Sequence, residues 1–217
     1  KKFKPNLIIF ETKTPVVKRH WKVIDVVKEE IPGVKVVLCG DHVTALPKET
    51  MQKSKVDYVI TGGDYDFSLL ELCNSITKKT KLPKGIWYRD KNKIKNTGKF
   101  ILNNNLDKLP FIDRDLTKWN FYCGEFNIPV RPFMYIMSGR DCWWHKCKFC
   151  AWPALFPKFR VRSVKNVLDE IGILIKRYKI KEIFDDTGTL MTGKWLHDLC
   201  NGLIARGYNK RIRYSCN

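Results

Sequence analysis

The chain has no long apolar run. No stretch of its 217 residues approaches the roughly 18 apolar residues of a membrane-spanning helix. No internal repeat or low-complexity tract is visible, which sets aside repeat arrays; no signal peptide is visible either, but a missing N-terminus would hide one. A disulfide framework is missing too. There are eight cysteines, but Cys39, Cys73, Cys200 and Cys216 stand isolated in apolar elements, so a reducing, cytoplasmic setting fits better. Acidic residues are scarce, 22 against 41 basic ones, for a net charge of +19. That balance points towards nucleic acid or an acidic partner. Yet the lysines form no block, and the aromatics are not interleaved with arginine as base-stacking platforms. The charge therefore reads as lysine-rich usage, and nucleic acid is not the expected partner. There is no initiator Met before Lys1-Lys-Phe-Lys4, and the chain closes inside a strand-like run, Ile212–Cys216. We expect a segment of a longer protein. With 44% hydrophobic residues, a real core can be buried and wholesale disorder is not expected.

What is present is an alternation of strands and helices. Asn6–Phe10, Val34–Cys39 and Tyr58–Thr61 are short apolar runs that read as buried strands. Between them, Val17, Trp21, Ile24 and Val27 recur at helical spacing until Pro32-Gly33. A short helix over Lys48–Lys53 and another through Leu69, Leu72 and Ile76 complete the rhythm of a parallel α/β sheet. Ligands of such sheets bind beyond the carboxyl ends of the strands, here Thr12–Thr14, Gly40–Leu46 and Thr61–Asp66. Gly85–Lys95 reads as a hairpin in a connector, and Leu109–Asp115 as an extended, proline-fixed segment. The last third repeats the alternation. A strand at Phe133–Met137 precedes an irregular Pro153–Arg162, then a helix over Val164–Tyr178 that Ser163 caps. A strand at Glu182–Phe184, a helix over Trp195–Ala205 and a strand at Ile212–Cys216 follow.

The chemistry concentrates in Ser138-Gly-Arg-Asp-Cys142-Trp-Trp-His-Lys-Cys147-Lys-Phe-Cys150, three cysteines within nine residues, spaced C-x4-C-x2-C. A strand that ends in such a loop can aim three thiols at one soft metal centre. Thiolates select zinc, copper(I) or iron–sulfur clusters. Structural zinc takes four protein ligands, for which His145 or Cys123 could supply the fourth. A cluster held by three keeps one iron open. Spacing alone leaves both metals open.

The loop resembles the cluster loop of radical S-adenosylmethionine (SAM) enzymes, whose usual spacing is C-x3-C-x2-C with an aromatic before the last cysteine. Phe149 holds that aromatic position. The first gap is one residue longer, as in branches of the superfamily with Cys-Trp-Trp here. The resemblance implies that Cys142, Cys147 and Cys150 each hold one iron of a [4Fe–4S] cluster. The fourth iron would take the amine and carboxylate of S-adenosylmethionine, with Phe149 and Ala151 alongside. Phe184-Asp-Asp-Thr-Gly188 resembles the Phe-x-Asp-Asp signature at the second barrel strand, which implies SAM contacts for Asp185, Asp186 and Thr187. A plainer reading has one of the two aspartates capping the next helix.

The first half resembles the cobalamin-binding domain that precedes such barrels. Cys39-Gly-Asp-His-Val-Thr-Ala-Leu-Pro47 stands where the family has Gly-Gly-Pro-His-Ala-Thr-Ala-Leu-Pro, and Val56-Asp-Tyr-Val59 is intact. Gly62-Gly-Asp-Tyr-Asp66 departs from the family's Gly-Glu-x-Glu. The resemblance implies cobalamin contacts at Thr12, Thr14, Gly40, Asp41, His42, Thr44, Gly62 and Gly63, the glycines admitting close approach of a flat ligand. His42 also reads as a loop histidine bonded to backbone. It is not in the cobalt-ligating Asp-x-His-x-x-Gly motif, which is absent from this sequence.

The expected architecture is α/β, a partial Rossmann-like cobalamin-binding domain (1–80), a connector (81–130) and the first part of a radical SAM (β/α) barrel (131–217). The expected function is cobalamin-dependent radical SAM chemistry, with methyl transfer to an unactivated carbon or else cyclisation or rearrangement. Cofactors would be a [4Fe–4S] cluster, S-adenosylmethionine and cobalamin. Partners would be an electron donor such as flavodoxin or ferredoxin and a small-molecule, lipid, tetrapyrrole-like or peptide substrate. No residue is assigned a catalytic role. The alternatives are a zinc-stabilised nucleic-acid-binding module, or a radical SAM enzyme that no longer uses cobalamin.

Overall fold

A computed structural model describes residues 4–91, 93–121 and 130–217. Cys123, one of the zinc-ligand alternatives, lies outside them. The chain divides into two compact units, one of Lys1–Asn104 with Lys148–Pro157, the other of Asn105–Cys147 with Lys158–Asn217.

In the first unit, β1 (Leu7–Glu11), β2 (Lys35–Cys39) and β3 (Tyr58–Ile60) pair in parallel. They alternate with α1 (Val17–Glu30), the short α2 (Asp41–Ala45), α3 (Pro47–Lys53) and α4 (Tyr65–Lys78). Side chains alternate across a strand, so a strand buried on both faces must be apolar throughout. In β2, an interior strand, Val36–Cys39 meet that condition after the exposed Lys35. Val36 and Leu38 join the core of Val17, Trp21 and Ile24 from α1, while Val37 and Cys39 join Ile60, Leu72 and Ile86 on the other face. Asp57, within the Val56–Val59 motif, accepts from Lys28 Nζ (2.8 Å) and the Val36 amide (2.8 Å), fastening α1 to β2. The hairpin read as connector belongs to this sheet. Its strands β4 (Ile86–Asp90) and β5 (Lys93–Asn96) run antiparallel beyond β3. Two stretches read as irregular also hold short helices. One is α2, inside the Gly40–Pro47 loop, and the other is α5 (Trp152–Leu155).

In the second unit, β6 (Phe133–Ile136), β9 (Glu182–Asp185) and β10 (Arg213–Cys216) form a parallel sheet of order β10-β9-β6. Consecutive strands are neighbours, as at the start of a (β/α) barrel. Helices α6 (Val164–Tyr178) and α7 (Lys194–Ala205) connect them. Val167, Leu168, Ile171, Leu174 and Ile175 of α6 pack with Met134, Ile136, Ile183 and Leu199. Ser163 caps α6, its Oγ accepting from the Asn166 amide at 3.2 Å. Buried Glu170 bridges Arg114 (3.1 Å) and Arg162 (2.6 Å). A two-rung antiparallel ribbon, β7 (Gly139–Arg140) against β8 (Arg160–Val161), closes the base of the loop that carries the cysteines. Among the described residues no helix is long and apolar enough to cross a membrane.

Candidate functional site

The cysteine loop leaves the carboxyl end of β6. Its root is fixed by Asp185, which is fully buried at the end of β9. Asp185 Oδ1 accepts from the Ser138 amide (3.0 Å), the Thr187 amide (3.1 Å) and the Thr187 hydroxyl (2.7 Å). Oδ2 accepts from the Tyr214 hydroxyl at 2.6 Å. Thr187 Oγ1 in turn takes the Gly139 amide at 2.8 Å. Burial, and then the Asp185 carboxylate, push the Tyr214 phenol far above its usual range, so it remains a donor. Three strand ends are thereby locked together. Asp186 is exposed and accepts from Asn217 Nδ2 at 3.2 Å. Of the paired aspartates, the first is committed to the frame and the second faces solvent.

Within the loop, Cys142 is half-buried with Sγ 3.0 Å from Thr189 Oγ1. Burial raises its thiol, but the Thr189 hydroxyl and the backbone groups of His145 and Trp144 outweigh this and hold it below its ordinary value. Asp141 Oδ1 accepts from the Cys142 amide and lies 3.1 Å from His145 Nε2. Asp141 Oδ2 is buried with no hydrogen-bond partner. Trp143 Nε1 donates to the Leu190 carbonyl at 3.2 Å. Cys147, Phe149 and Ala151 are exposed, Phe149 at 92%, and Cys150 is half-buried. All three thiols are free. Among the described residues no three His, Cys, Asp or Glu side chains converge as metal ligands would. The donor set nonetheless suits a soft, iron–sulfur centre, since three thiols free of disulfides share one loop. The partnerless Asp141 Oδ2 beside Cys142 is open to a donor from a bound group.

In the first unit the loops beyond β1, β2 and β3 meet. Buried Thr12 lies 2.9 Å from His20 Nδ1, and its amide donates to the Cys39 carbonyl at 2.8 Å. A Cβ at Gly40, where φ is +124°, would stand 2.0 Å from the Thr12 carbonyl oxygen. Glycine is therefore required there by the neighbouring strand. Asp41 Oδ1 takes the His42 amide at 2.6 Å. His42 is buried, with Nδ1 3.2 Å from Thr14 Oγ1 and Nε2 3.5 Å from Glu49 Oε2. Thr44 Oγ1 donates to the Gly40 carbonyl (2.7 Å) and accepts from the Gly62 amide (3.1 Å). The Phe100 ring covers Gly62, and the Phe156 ring, which follows α5, covers Gly63, leaving no room for a Cβ at either. All eight residues named for cobalamin thus share one edge of the sheet. Most of their polar atoms bond within this framework, although His42 Nε2 is buried with no hydrogen-bond partner, and the two phenylalanine rings fill the space over the glycines.

Thr189, Asp141, Phe100 and Phe156 carry no signal in the sequence. The partner of Thr189 is 47 residues away, and a phenylalanine on a glycine looks like any core aromatic.

No protein-family model matches the chain. An uncharacterized methyltransferase of Pyrococcus horikoshii is 31% identical over 195 residues, 88% of this chain and 41% of that protein. An anaerobic magnesium-protoporphyrin IX monomethyl ester cyclase of Cereibacter sphaeroides is 23% identical over 100% of this chain and 36% of its own length. The chain thus spans less than half of either relative. Among solved structures, the radical SAM methyltransferase TsrM of Kitasatospora setae, with cobalamin and a [4Fe–4S] cluster bound, superposes with a TM-score of 0.70 at 16% identity, covering 98% of this chain and 44% of TsrM. The cobalamin-dependent SAM radical enzyme OxsB gives 0.70 at 18% identity, covering 97% and 30%. The likeness to these two is one of fold, and the α/β architecture read from the sequence is theirs.

Proposed function

We propose that this chain, sharing its fold with cobalamin-dependent radical SAM enzymes, is part of an enzyme that cleaves S-adenosylmethionine at a [4Fe–4S] cluster held by Cys142, Cys147 and Cys150. The observation that carries the reading is the three-thiol loop at the carboxyl end of β6, the first strand of a parallel β/α unit. The chemistry such a cluster supplies is one electron to the sulfonium, breaking a carbon–sulfur bond to give a 5′-deoxyadenosyl radical. The chain's own part is positioning. Asp185, Thr187 and Tyr214 fix the loop root, and Thr189 lies against Cys142. Exposed Asp186, Phe149 and Ala151 are left for S-adenosylmethionine. An external one-electron donor of the flavodoxin or ferredoxin class, in the cytoplasm, completes the system.

The proposed outcome is methyl transfer to an unactivated carbon, with cyclisation the variant that the second relative's name suggests. Cobalamin enters through the relatives and the shared fold. For a corrin ring to lie over Gly63, the Phe156 ring must move.

One observation favours zinc as a second reading. Metal-bound histidines commonly give their other ring nitrogen to a carboxylate, and His145 Nε2 lies 3.1 Å from Asp141 Oδ1. Metal analysis of the full-length protein, reconstituted anaerobically with iron, sulfide and hydroxocobalamin, decides between them. About four irons per chain, lost in Cys147→Ala, support the proposal. Stoichiometric zinc without iron or cobalt refutes it.

A further inference from the structure

We infer that Thr189 is a positioning residue for the metal centre, donating its hydroxyl hydrogen bond to the sulfur of Cys142 and thereby raising the centre's reduction potential. The inference rests on the cluster reading above and extends it to a residue in a different loop.

Thr189 Oγ1 lies 3.0 Å from Cys142 Sγ and 2.7 Å from the Gly188 carbonyl oxygen. A hydroxyl has a single proton and two lone pairs. While Cys142 is a thiol, either group can donate across this contact, and its S–H can give to Thr189 Oγ1 while the hydroxyl proton goes to the Gly188 carbonyl. Once the sulfur is an iron-bound thiolate it has no proton to give and becomes an acceptor. The Thr189 hydroxyl then turns about its C–O bond and donates to sulfur. No backbone movement is needed, because both acceptors are already within reach.

The contact is built in and not incidental. Thr189 sits on the β9 loop, and its amide donates to the Asp141 carbonyl at 3.3 Å. The next residue accepts from Trp143 Nε1 at 3.2 Å, and its amide donates to the Asn217 carbonyl at 3.2 Å. The Thr189–Leu190 backbone is thus sewn to the residues on both sides of Cys142. Among the described residues, neither Cys147 nor Cys150 has a side-chain hydrogen-bond partner of this kind, so the three thiols stand in unequal environments.

Adding an electron to a thiolate-held centre increases negative charge on sulfur, and a donor to that sulfur stabilises the reduced form. Losing the donor therefore lowers the potential. The test uses the full-length protein, reconstituted anaerobically, as wild type, Thr189→Val and Thr189→Ser, with a redox titration followed by electron paramagnetic resonance. The expected result is a midpoint shifted to lower potential in Thr189→Val and restored in Thr189→Ser, at equal iron content. Loss of the cluster from Thr189→Val but not from Thr189→Ser also supports the contact, as a holding one. Equal midpoints in all three proteins overturn it, as does cluster loss in both variants. If wild type takes zinc and no iron, the cluster reading fails separately. Thr189 is then read as zinc affinity, expected to fall on the order of ten-fold in Thr189→Val and not in Thr189→Ser, and overturned if unchanged.

Discussion

Replacing Asp185 tests whether the strand ends are held as the structure describes. The carboxylate takes four donor contacts, from the Ser138 and Thr187 amides and the Thr187 and Tyr214 hydroxyls. In Asp185→Ala the hydroxyls can turn elsewhere, since Thr187 Oγ1 has Ser138 Oγ at 3.1 Å. The two backbone amides cannot. A buried donor left unpaired costs about 1–3 kcal/mol, so two of them, with the small void, destabilise the second unit by about 3–5 kcal/mol. Asp185→Asn keeps an oxygen for the amides and offers Nδ2 to the Tyr214 oxygen, so its cost falls to about 1–2 kcal/mol. Urea unfolding, followed by hydrogen exchange at the Ser138 and Thr187 amides, separates the two. At an m-value of about 2 kcal/mol/M, the alanine variant's midpoint falls by about 2 M. An alanine variant within about 0.5 kcal/mol of wild type refutes the reasoning. So does an asparagine variant equally damaged, since charge and not hydrogen bonding would then be the cause.

Further outcomes follow from neighbouring features. The phenol of Tyr214 is raised by burial and then by Asp185, so the folded state holds its proton more tightly than the unfolded chain. Its stabilising contribution is full below about pH 10 and declines as pH rises towards the raised folded value. Alkaline denaturation should show this slope in wild type and lose it in Tyr214→Phe. Removing the ring from Gly63 with Phe156→Ala should raise hydroxocobalamin affinity by up to about ten-fold, the equivalent of 1.4 kcal/mol; weaker binding in a titration would mean that the ring supports the cofactor. Ser163→Ala should cost about 1 kcal/mol in thermal or urea unfolding through loss of the α6 cap; an unchanged midpoint would show the cap to be idle.

The repeating elements were legible because burial imposes a period. Of Val17, Trp21, Ile24 and Val27, which recur at helical spacing, the first three are buried and Val27 packs partly buried against the same core. Ser163 was read as a cap from its position before an apolar helix, and its Oγ takes the Asn166 amide. The hairpin was legible as a hairpin, but its place on the sheet was not, since pairing of β4 with β3 depends on residues over 25 positions apart. Two-residue strands such as β7 and β8 have no period to detect. At the site, the cysteines announced themselves by spacing. Asp185 and Asp186 look equivalent in sequence, yet Asp185 is the buried last residue of β9 and Asp186 the exposed first residue after it, and only the fold says which points inward.

The ribbon of β7 and β8 has a consequence for how this loop can change. Because Gly139 pairs with Val161 and Arg140 with Arg160, residues entering and leaving the cysteine segment are pinned at a common base. A residue gained or lost between Cys142 and Cys147 alters the reach of the thiols while leaving the register of β6 on β9 untouched, and the entropy of closing the loop grows only logarithmically with its length. The four-residue gap carried here is the kind of variation that such a base insulates from the sheet. Loop length can drift and be tuned to a ligand without the barrel strands having to refit.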